Sequence, residues 1–240
     1  MIILKRLFCA IFLFFLALNI SAKEITLATL DSMYGAKNCS QVLIEAYQRL
    51  SIKTHINIYP AKRSLTISNS GEADGEVVRI KGVEKKFKNL IRVKSSHCSM
   101  ESQVYVKNVH FKLEGWKSLK PYKIGIVLGH LYAVNGTLGM DVTKVKTNES
   151  LLRMLDRGRI DVAITQTTDA LSVISKLKLQ GIEGLEPMIA VWPLYHYLHK
   201  KNISLVPLIE NSINEMQKEG RILEIRNNFI LELKSQIKSH

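Results

Sequence analysis

The sequence is poor in the residues and motifs that mark a catalytic or metal-binding site. It holds three cysteines among 240 residues, and neither Cys39 nor Cys98 has the spacing of a metal ligand to a second cysteine or histidine. A Gly-x-Ser-x-Gly elbow, a His-Glu-x-x-His pair, a phosphate-binding glycine-rich loop and a Cys-x-x-Cys pair are all missing. These absences disfavour the commonest hydrolases, zinc peptidases, nucleotide-binding enzymes and thiol oxidoreductases.

After Ala22 the sequence also lacks an apolar run long enough to cross a membrane. The N-terminus has basic residues at Lys5 and Arg6, an apolar stretch over residues 7–18, and small residues ending at Ala22. This order is typical of a secretory signal peptide. The stretch is about 12 residues long, whereas a membrane-spanning helix needs about 20. We therefore expect residues 1–22 to be cleaved and the mature chain to be soluble in the periplasm.

Acidic residues are scarce relative to basic ones. The chain has 21 Asp and Glu against 34 Lys and Arg, a formal net charge of +13, and such a surplus favours anionic partners. The densest basic run lies between Lys81 and Lys94, and we expect it to be a solvated surface rather than a binding patch. Since we expect export and find no basic helix with interleaved aromatic residues, we predict no nucleic-acid partner.

Cys39 and Cys98 remain after the expected cleavage. An oxidising compartment permits a disulfide between them. Two separately buried thiols are the alternative, because the sequence alone does not show whether the two Cα atoms come within about 7 Å of each other.

Apolar periodicity along the mature chain alternates between the strand and the helix pattern. A β-rich run over residues 25–30 precedes a helix predicted over 40–50, and a strand over 56–59 precedes a helix over 61–69. Two amphipathic helices separated by Gly220 end the chain. Strands that alternate with helices are typical of parallel sheets covered on both faces.

A unit of helix, Gly-x-x-Asp and strand occurs twice. The first copy contains Gly71 and Asp74, and the second contains Gly158 and Asp161. Two such units about ninety residues apart predict two similar α/β lobes, since each unit is an α-to-β connection of the same kind.

Extended segments near residues 107–111 and 188–198 predict two connections between these lobes. Accordingly, we predict that lobe 1 comprises residues 23–108 together with 199–240, and that lobe 2 comprises residues 109–198. Loops at strand ends would then face each other across a gap.

The mature chain resembles the bacterial extracellular solute-binding proteins of family 3, which serve polar amino-acid uptake. The resemblance rests on the order and spacing of three segments: "YPAKRSLTISNSGEADGEVVRI", "SLLRMLDRGRIDVAIT" and "PLYHYLHKKNISLVPLIENSINEMQKEGRILEI". It implies a two-lobed periplasmic-binding-protein-like fold of type II, with Rossmann-like lobes joined by two crossover strands and one ligand in the cleft. It also implies a monomer, without metal or cofactor, that serves an inner-membrane ABC transporter or a sensor.

The candidate ligand residues lie at predicted strand ends, where helix N-termini present free N–H groups to anions. Asp31 and Tyr34 follow the first strand, Arg63 opens the second helix, and Arg79 ends the strand after Asp74. A guanidinium suits bidentate binding of carboxylate or phosphate, and a plain surface position is the alternative for both arginines. The second lobe offers three further candidates: His130, Thr165 and Gln166.

Two departures from the family pattern bear on the ligand. Amino-acid binders follow the first-lobe strand with a Ser/Thr and an Arg that grip the α-carboxylate, and "VVRIKGVEKKF" stands there in this chain. They also carry an acidic residue for the ammonium where this chain has Gln166. We therefore expect a small polar or anionic solute, amino-acid-like or an organic acid. Asp161 is interpreted as a turn or cap residue.

Two other functions compete with solute binding. Some dehydratases resemble the same family, and Glu76 or His130 would then be the general acid or base of a periplasmic enzyme. The positive charge alone would instead suggest a binder of the envelope surface. Because no catalytic motif is present, we predict a protein that is not an enzyme.

Overall fold

The computed structural model describes residues 23–30 and 35–238. The strands are β1 (Lys23–Leu30), β2 (Ile52–Tyr59), β3 (Gly75–Arg79), β4 (Leu90–Arg92), β5 (Cys98–Val106), β6 (Ile124–Val127), β7 (Val142–Val145), β8 (Val162–Gln166) and β9 (Glu183–His199). The α-helices are α1 (Gly35–Gln48), α2 (Ala61–Ser70), α3 (Leu131–Gly136), α4 (Asn148–Asp156), α5 (Thr167–Leu177), α6 (Val206–Lys218) and α7 (Arg221–Lys238). The predicted signal peptide lies outside the described residues. Within them, no helix combines the length and apolar composition needed to cross a membrane.

Parallel strands β2, β1 and β3 form one end of the sheet, with β1 between the other two. Helix α1 packs on them because Val42, Leu43 and Ala46 recur at helical spacing and bury one face of the helix. Helix α2 ends at Gly71, whose φ of 88° provides the left-handed conformation common at helix C-termini. We call this half of the molecule lobe 1.

Parallel strands β7, β6 and β8 form the other end of the sheet, with β6 in the middle. Helix α4 begins after Thr147, whose hydroxyl oxygen accepts a hydrogen bond from the backbone N–H of Ser150. Leu151 and Leu155 of this helix are buried in the local core. We call this half lobe 2.

The two Gly-x-x-Asp units make matching contacts in the two lobes. Asp74 Oδ2 accepts a hydrogen bond from the backbone N–H of Thr26 at 2.8 Å, and the Asp74 N–H donates to the Thr26 carbonyl at 2.7 Å. Asp161 Oδ2 accepts from the N–H of Lys123 at 2.8 Å, and its own N–H donates to the Lys123 carbonyl at 2.9 Å. In lobe 1 the aspartate connects the start of β3 to β1, and in lobe 2 it connects the start of β8 to the start of β6. Asp161 is therefore a structural residue.

Strands β5 and β9 connect the two lobes as an antiparallel pair. Strand β9 is 17 residues long and pairs with β3 and β4 in lobe 1 and with β5 along the rest of its length. Strand β5 pairs in turn with β8 through residues 102–106. The strand order β2-β1-β3-β9-β5-β8-β6-β7 is continuous because β9 belongs to both lobes.

The last helix, α7, packs on both lobes. Ile225 belongs to the core cluster of lobe 1, whereas Phe229 and Leu233 pack against Leu171 of α5 in lobe 2. Gly220, with a φ of 73°, separates α7 from α6 as the sequence predicts. The apolar contacts of α7 therefore oppose movement of one lobe relative to the other.

The periodicity missed two short elements of lobe 2, α3 and β7, and it placed the start of α1 five residues late, at residue 40 instead of Gly35. Strand β7 has four residues, none of them fully buried, and it is defined by its hydrogen bonds to β6. An edge strand of this kind carries a weak apolar signal, because its neighbours rather than its side chains fix its conformation.

A buried polar cluster joins α2 to β3. Glu76 is completely buried, and its carboxylate accepts hydrogen bonds from the Ser64 and Ser68 hydroxyls at 2.6 and 2.9 Å. Arg79 Nη2 lies 2.7 Å from Glu76 Oε1. Burial raises the pKa of Glu76, while the arginine and the two hydroxyls oppose that shift. A carboxylate is tolerated in this core because both of its oxygens have donors.

Glu76→Gln is expected to lower the free energy of unfolding by about 3 kcal/mol, because removing one partner of a buried ion pair leaves the other charge uncompensated. Urea unfolding followed by circular dichroism measures this loss. Glu72→Gln is the matched control, since Glu72 is exposed and its loss should change stability by less than about 0.5 kcal/mol. A Glu76→Gln protein as stable as the wild type would contradict the role of the cluster.

Cys39 of α1 and Cys98 at the start of β5 form a disulfide, with Cα atoms 5.5 Å apart. The bond ties the first helix of lobe 1 to a connecting strand. It closes a loop with a sequence separation of 59 residues, for which the loss of chain entropy in the unfolded state corresponds to about 4 kcal/mol.

Replacing both cysteines by serine is expected to lower the free energy of unfolding by about 2–4 kcal/mol, since the unfolded chain regains that entropy. Denaturant titration with and without reductant measures the effect. Reductant should destabilise the wild type and leave the double variant unchanged, and equal sensitivity of the two proteins would show that the disulfide does not form.

Candidate functional site between the lobes

A cavity of about 240 Å³ lies between the two lobes. Its walls come from Arg79 in lobe 1, residues 166–168 in lobe 2, residues 99–101 of β5, and Arg226 of α7. Since both lobes and a connecting strand contribute walls, the size of the cavity depends on how the lobes are oriented. Its volume is below the roughly 300–1,000 Å³ typical for drug-sized ligands, which suits a smaller solute.

Arg79 ends β3 and carries the positive charge on the lobe 1 wall. Its Nη2 contacts Glu76 and also donates to the carbonyl oxygen of Ala61 at 3.0 Å. Its Nε is buried and has no hydrogen-bond partner among the described residues. Burial lowers the pKa of Arg79 and Glu76 opposes that shift, so the guanidinium remains charged at neutral pH. A guanidinium that is fixed by Glu76 and Ala61 and has an unpaired Nε–H among the described residues is suited to a carboxylate or carbonyl oxygen.

The N-terminus of α5 borders the same cavity from lobe 2. Gln166 precedes the helix, and its first two residues, Thr167 and Thr168, line the cavity. The side chain of Gln166 makes no capping hydrogen bond to this end of the helix. The first N–H groups of a helix lack intrahelical partners and carry a partial positive charge, so they attract an anionic group.

A chain of hydrogen bonds inside lobe 2 supports the first turn of α5. The Thr165 hydroxyl donates to Asn148 Oδ1 at 2.6 Å, and Asn148 Nδ2 donates to Asp169 Oδ2 at 3.2 Å. Burial raises the pKa of Asp169, and the hydrogen bond from Asn148 opposes that shift. These side chains are engaged within the lobe, so they position the helix end rather than contact a solute.

Glu101 and Arg226 form an ion pair on the cavity wall. Arg226 Nε donates to Glu101 Oε1 at 2.8 Å, and Nη2 contacts Oε2, so the pair is bidentate and joins β5 to α7. The hydrogen bond to Glu101 raises the pKa of Arg226. Glu101 balances Arg226 and Glu76 balances Arg79, so the charged side chains of these walls leave no net charge. The first turn of α5 also contains the carboxyl group of Asp169.

Asn38 of α1 adds a hydrogen-bond acceptor to the cavity. Its Oδ1 is buried and has no partner among the described residues, although the residue lines the cavity. A buried polar atom without a partner is costly. Asn38 Oδ1 and Arg79 Nε are therefore one acceptor and one donor that lack a hydrogen-bond partner among the described residues, in two residues that line the cavity.

The structure places two of the predicted ligand residues, Arg79 and Gln166, on this cavity. They come from different lobes. Asp31 and Tyr34 lie outside the described residues, so their predicted role remains a prediction.

The other predicted ligand residues lie elsewhere. Thr165 is completely buried beneath the wall of lobe 2. Arg63 is exposed, with its guanidinium 5.8 Å from the centre of the Tyr59 ring. His130 is partly buried next to α3 and stacks on Tyr132, and burial lowers its pKa. None of these three residues lines the cavity between the lobes.

The sequence did not reveal three cavity residues: Asn38, Glu101 and Arg226. Glu101 and Arg226 are 125 positions apart, on a connecting strand and on the terminal helix. Their meeting depends on the packing of α7, for which the local pattern holds no signal.

Comparison of the sequence with family models gives no match. An uncharacterized protein from Shewanella oneidensis is 26% identical over 192 residues, which cover 75% of this chain and 70% of that protein. The relationship supports common ancestry over most of the mature chain without assigning an activity.

Solved structures share the fold at low sequence identity. The extracellular-binding protein ytmK from Bacillus subtilis has a TM-score of 0.70 at 15% identity, over 87% of this chain and 99% of that one. The L-cystine solute receptor of Neisseria gonorrhoeae, in its unliganded open conformation, has a TM-score of 0.68 at 14% identity, over 87% and 93%. A histidine kinase sensor domain with similarity to periplasmic binding proteins has 0.60 at 15% identity, over 87% and 97%.

These neighbours agree with the resemblance to solute-binding proteins of family 3, and they confirm the predicted fold class. Like them, this chain has two α/β lobes joined by two crossover strands. The protein therefore has the two-lobed fold of the periplasmic binding proteins.

Proposed function

We propose that this protein is a periplasmic solute-binding protein that captures a small polar or anionic solute between its lobes. The observation that carries the proposal is the cavity itself, where Arg79 of lobe 1 and the N-terminus of α5 in lobe 2 line one space. A guanidinium and a helix N-terminus are both suited to an anionic oxygen. A carboxylate is the simplest group that both walls can bind together.

The rest of the solute is constrained by the other walls. Asn38 Oδ1 has no hydrogen-bond partner among the described residues, so it is suited to a hydroxyl, amide or amine next to the carboxylate. The Glu101–Arg226 pair brings no net charge, and apolar surface comes from Met100, Leu194 and Ile230. A compact carboxylate with a neighbouring donor, such as a hydroxy acid or an amino-acid-like molecule, satisfies these conditions.

Capture by lobe closure follows from the connections between the lobes. Two strands join the lobes, and hinge closure around a ligand is a recurrent motion of two-lobed proteins. We place the lobe boundaries near residues 108 and 198, as the sequence suggests. The contacts of α7 with both lobes are expected to limit the amplitude of this closure.

The cellular role is proposed from the signal sequence and the structural neighbours. A basic, apolar and small-residue order at the N-terminus is typical of export, which supports a periplasmic location. One neighbour is an L-cystine solute receptor and another is a histidine kinase sensor domain. We propose that this protein delivers its solute, as a monomer, to an inner-membrane transporter or reports it to a sensor.

A thermal-shift screen of small carboxylates, hydroxy acids and amino acids tests the proposal. A bound solute at 100 times its Kd stabilises the folded state by about 2.7 kcal/mol, which for a domain of this size raises Tm by about 5–10 °C. Arg79→Gln should lower the solute-free Tm, because Glu76 loses its partner. Relative to that baseline it should abolish the shift, because the charged lobe 1 contact is lost. Arg63→Gln, which changes an exposed arginine away from the cavity, should retain it.

Calorimetric titration of any stabilising compound provides the decisive comparison. The account predicts one solute per chain for the wild type and for Arg63→Gln. A compound that binds the Arg79→Gln protein with unchanged affinity would show that the solute site lies elsewhere, and a full screen without any shift would contradict solute binding.

A further inference from the structure

Three potential metal ligands meet beside the disulfide. Cys39, His97 and Cys98 each present a ligand atom, and these atoms lie within 4.8 Å of one another. His97 is completely buried. Its Nε2 lies 3.6 Å from Cys98 Sγ, and its Nδ1 has no hydrogen-bond partner among the described residues.

The His97 ring packs edge-on against His196, with ring centroids 6.4 Å apart, and this contact gives its nitrogen atoms no hydrogen bond. Burying an imidazole is costly unless its nitrogen atoms find partners, and the contact recorded for Nε2 is with a sulfur atom. A weak sulfur contact recovers little of that cost. A soft or borderline metal ion bound by the sulfur atoms would give this buried nitrogen a strong partner.

We propose that the reduced form of this protein binds one thiophilic d¹⁰ cation, with Zn²⁺ as the reference ion, through Cys39 Sγ, Cys98 Sγ and His97 Nε2. This inference does not rest on the proposed solute binding. The oxidised form has the disulfide at the same position, so the two states exclude each other.

One of the three ligand separations already matches a tetrahedral zinc site. Zn–S bonds of about 2.3 Å and Zn–N bonds of about 2.0–2.1 Å place sulfur and nitrogen about 3.6 Å apart. This is the separation observed between Cys98 Sγ and His97 Nε2. Breaking the disulfide leaves the two sulfur atoms free to move to about 3.8 Å, the corresponding S···S edge.

The chemistry balances in two steps. A thiol reductant supplies two electrons and two protons, its own two sulfur atoms form a disulfide, and Cys39 and Cys98 become thiols. The cation then displaces the two thiol protons, and His97 contributes the lone pair of Nε2. Two thiolates and one divalent cation form a neutral centre, which a buried position tolerates better than a net charge.

A route to the site is present in the described part of the chain. A second cavity, of about 550 Å³, is lined by His97 and Cys98 together with residues of the α6–α7 turn. A solvent molecule in this cavity can complete the coordination, as in zinc sites with three protein ligands and one open position.

The experiment uses the full mature chain, reduced with a phosphine, freed of reductant under argon and titrated with Zn²⁺ or Co²⁺. We expect one ion per chain, release of two protons per Zn²⁺, and the thiolate-to-cobalt charge-transfer bands of a tetrahedral site. His97→Ala should weaken Zn²⁺ binding at least tenfold, and the exposed His110→Ala control should not. The oxidised protein should show no binding of this kind.

Reduction of the disulfide is expected to lower stability, so the Tm of each reduced protein is also measured with and without Zn²⁺. Zn²⁺ should raise the Tm of reduced wild type and of His110→Ala, but not that of His97→Ala or of the variant with both cysteines replaced by serine. Reduced wild type that binds no Zn²⁺ and is not stabilised by it would overturn the proposal. Equal Zn²⁺ affinity of the oxidised and reduced forms, or of wild type and His97→Ala, would overturn it as well.

Discussion

Hydrogen bonds between β5 and β9 join the two lobes. The relative position of the cavity residues depends on this antiparallel pair of strands. The pairing runs from Cys98 opposite Leu194 to Val106 opposite Glu183, with a register shift after Ser102. Each strand also pairs with the sheet of a lobe, β9 with β3 and β5 with β8. A change in the twist of this pair would therefore move Arg79 relative to α5.

Charge pairing explains why the cavity suits a small polar or anionic solute. Each arginine of the wall is matched by a carboxylate, Arg79 by Glu76 and Arg226 by Glu101. The pairs fix the guanidinium groups without leaving a large net charge, and a fixed donor loses less entropy on binding than a mobile one. The Glu101–Arg226 pair also joins β5 to α7, so one contact between separate elements also shapes the site.

The features of this protein that can be predicted from its sequence are those that depend on short-range patterns of residues. The helix predicted over residues 61–69 is present and ends at Gly71. The repeated Gly-x-x-Asp units correspond to matching contacts of Asp74 and Asp161. Arg79 could be predicted as a ligand residue because it ends a strand, and in this fold the ends of the strands face the gap between the lobes. Arg226 and His97 could not be found in this way, because packing brings Arg226 to Glu101 and His97 to Cys39 from distant parts of the chain.

The central claim is that one small molecule occupies the space between Arg79 and the N-terminus of α5. Native mass spectrometry of protein purified without added solute, from cells that export it, tests this claim most directly. The account predicts an excess mass of one small molecule on the wild type that disappears from Arg79→Gln and persists on Arg63→Gln. The same excess mass on all three proteins, or on none of them, would contradict it.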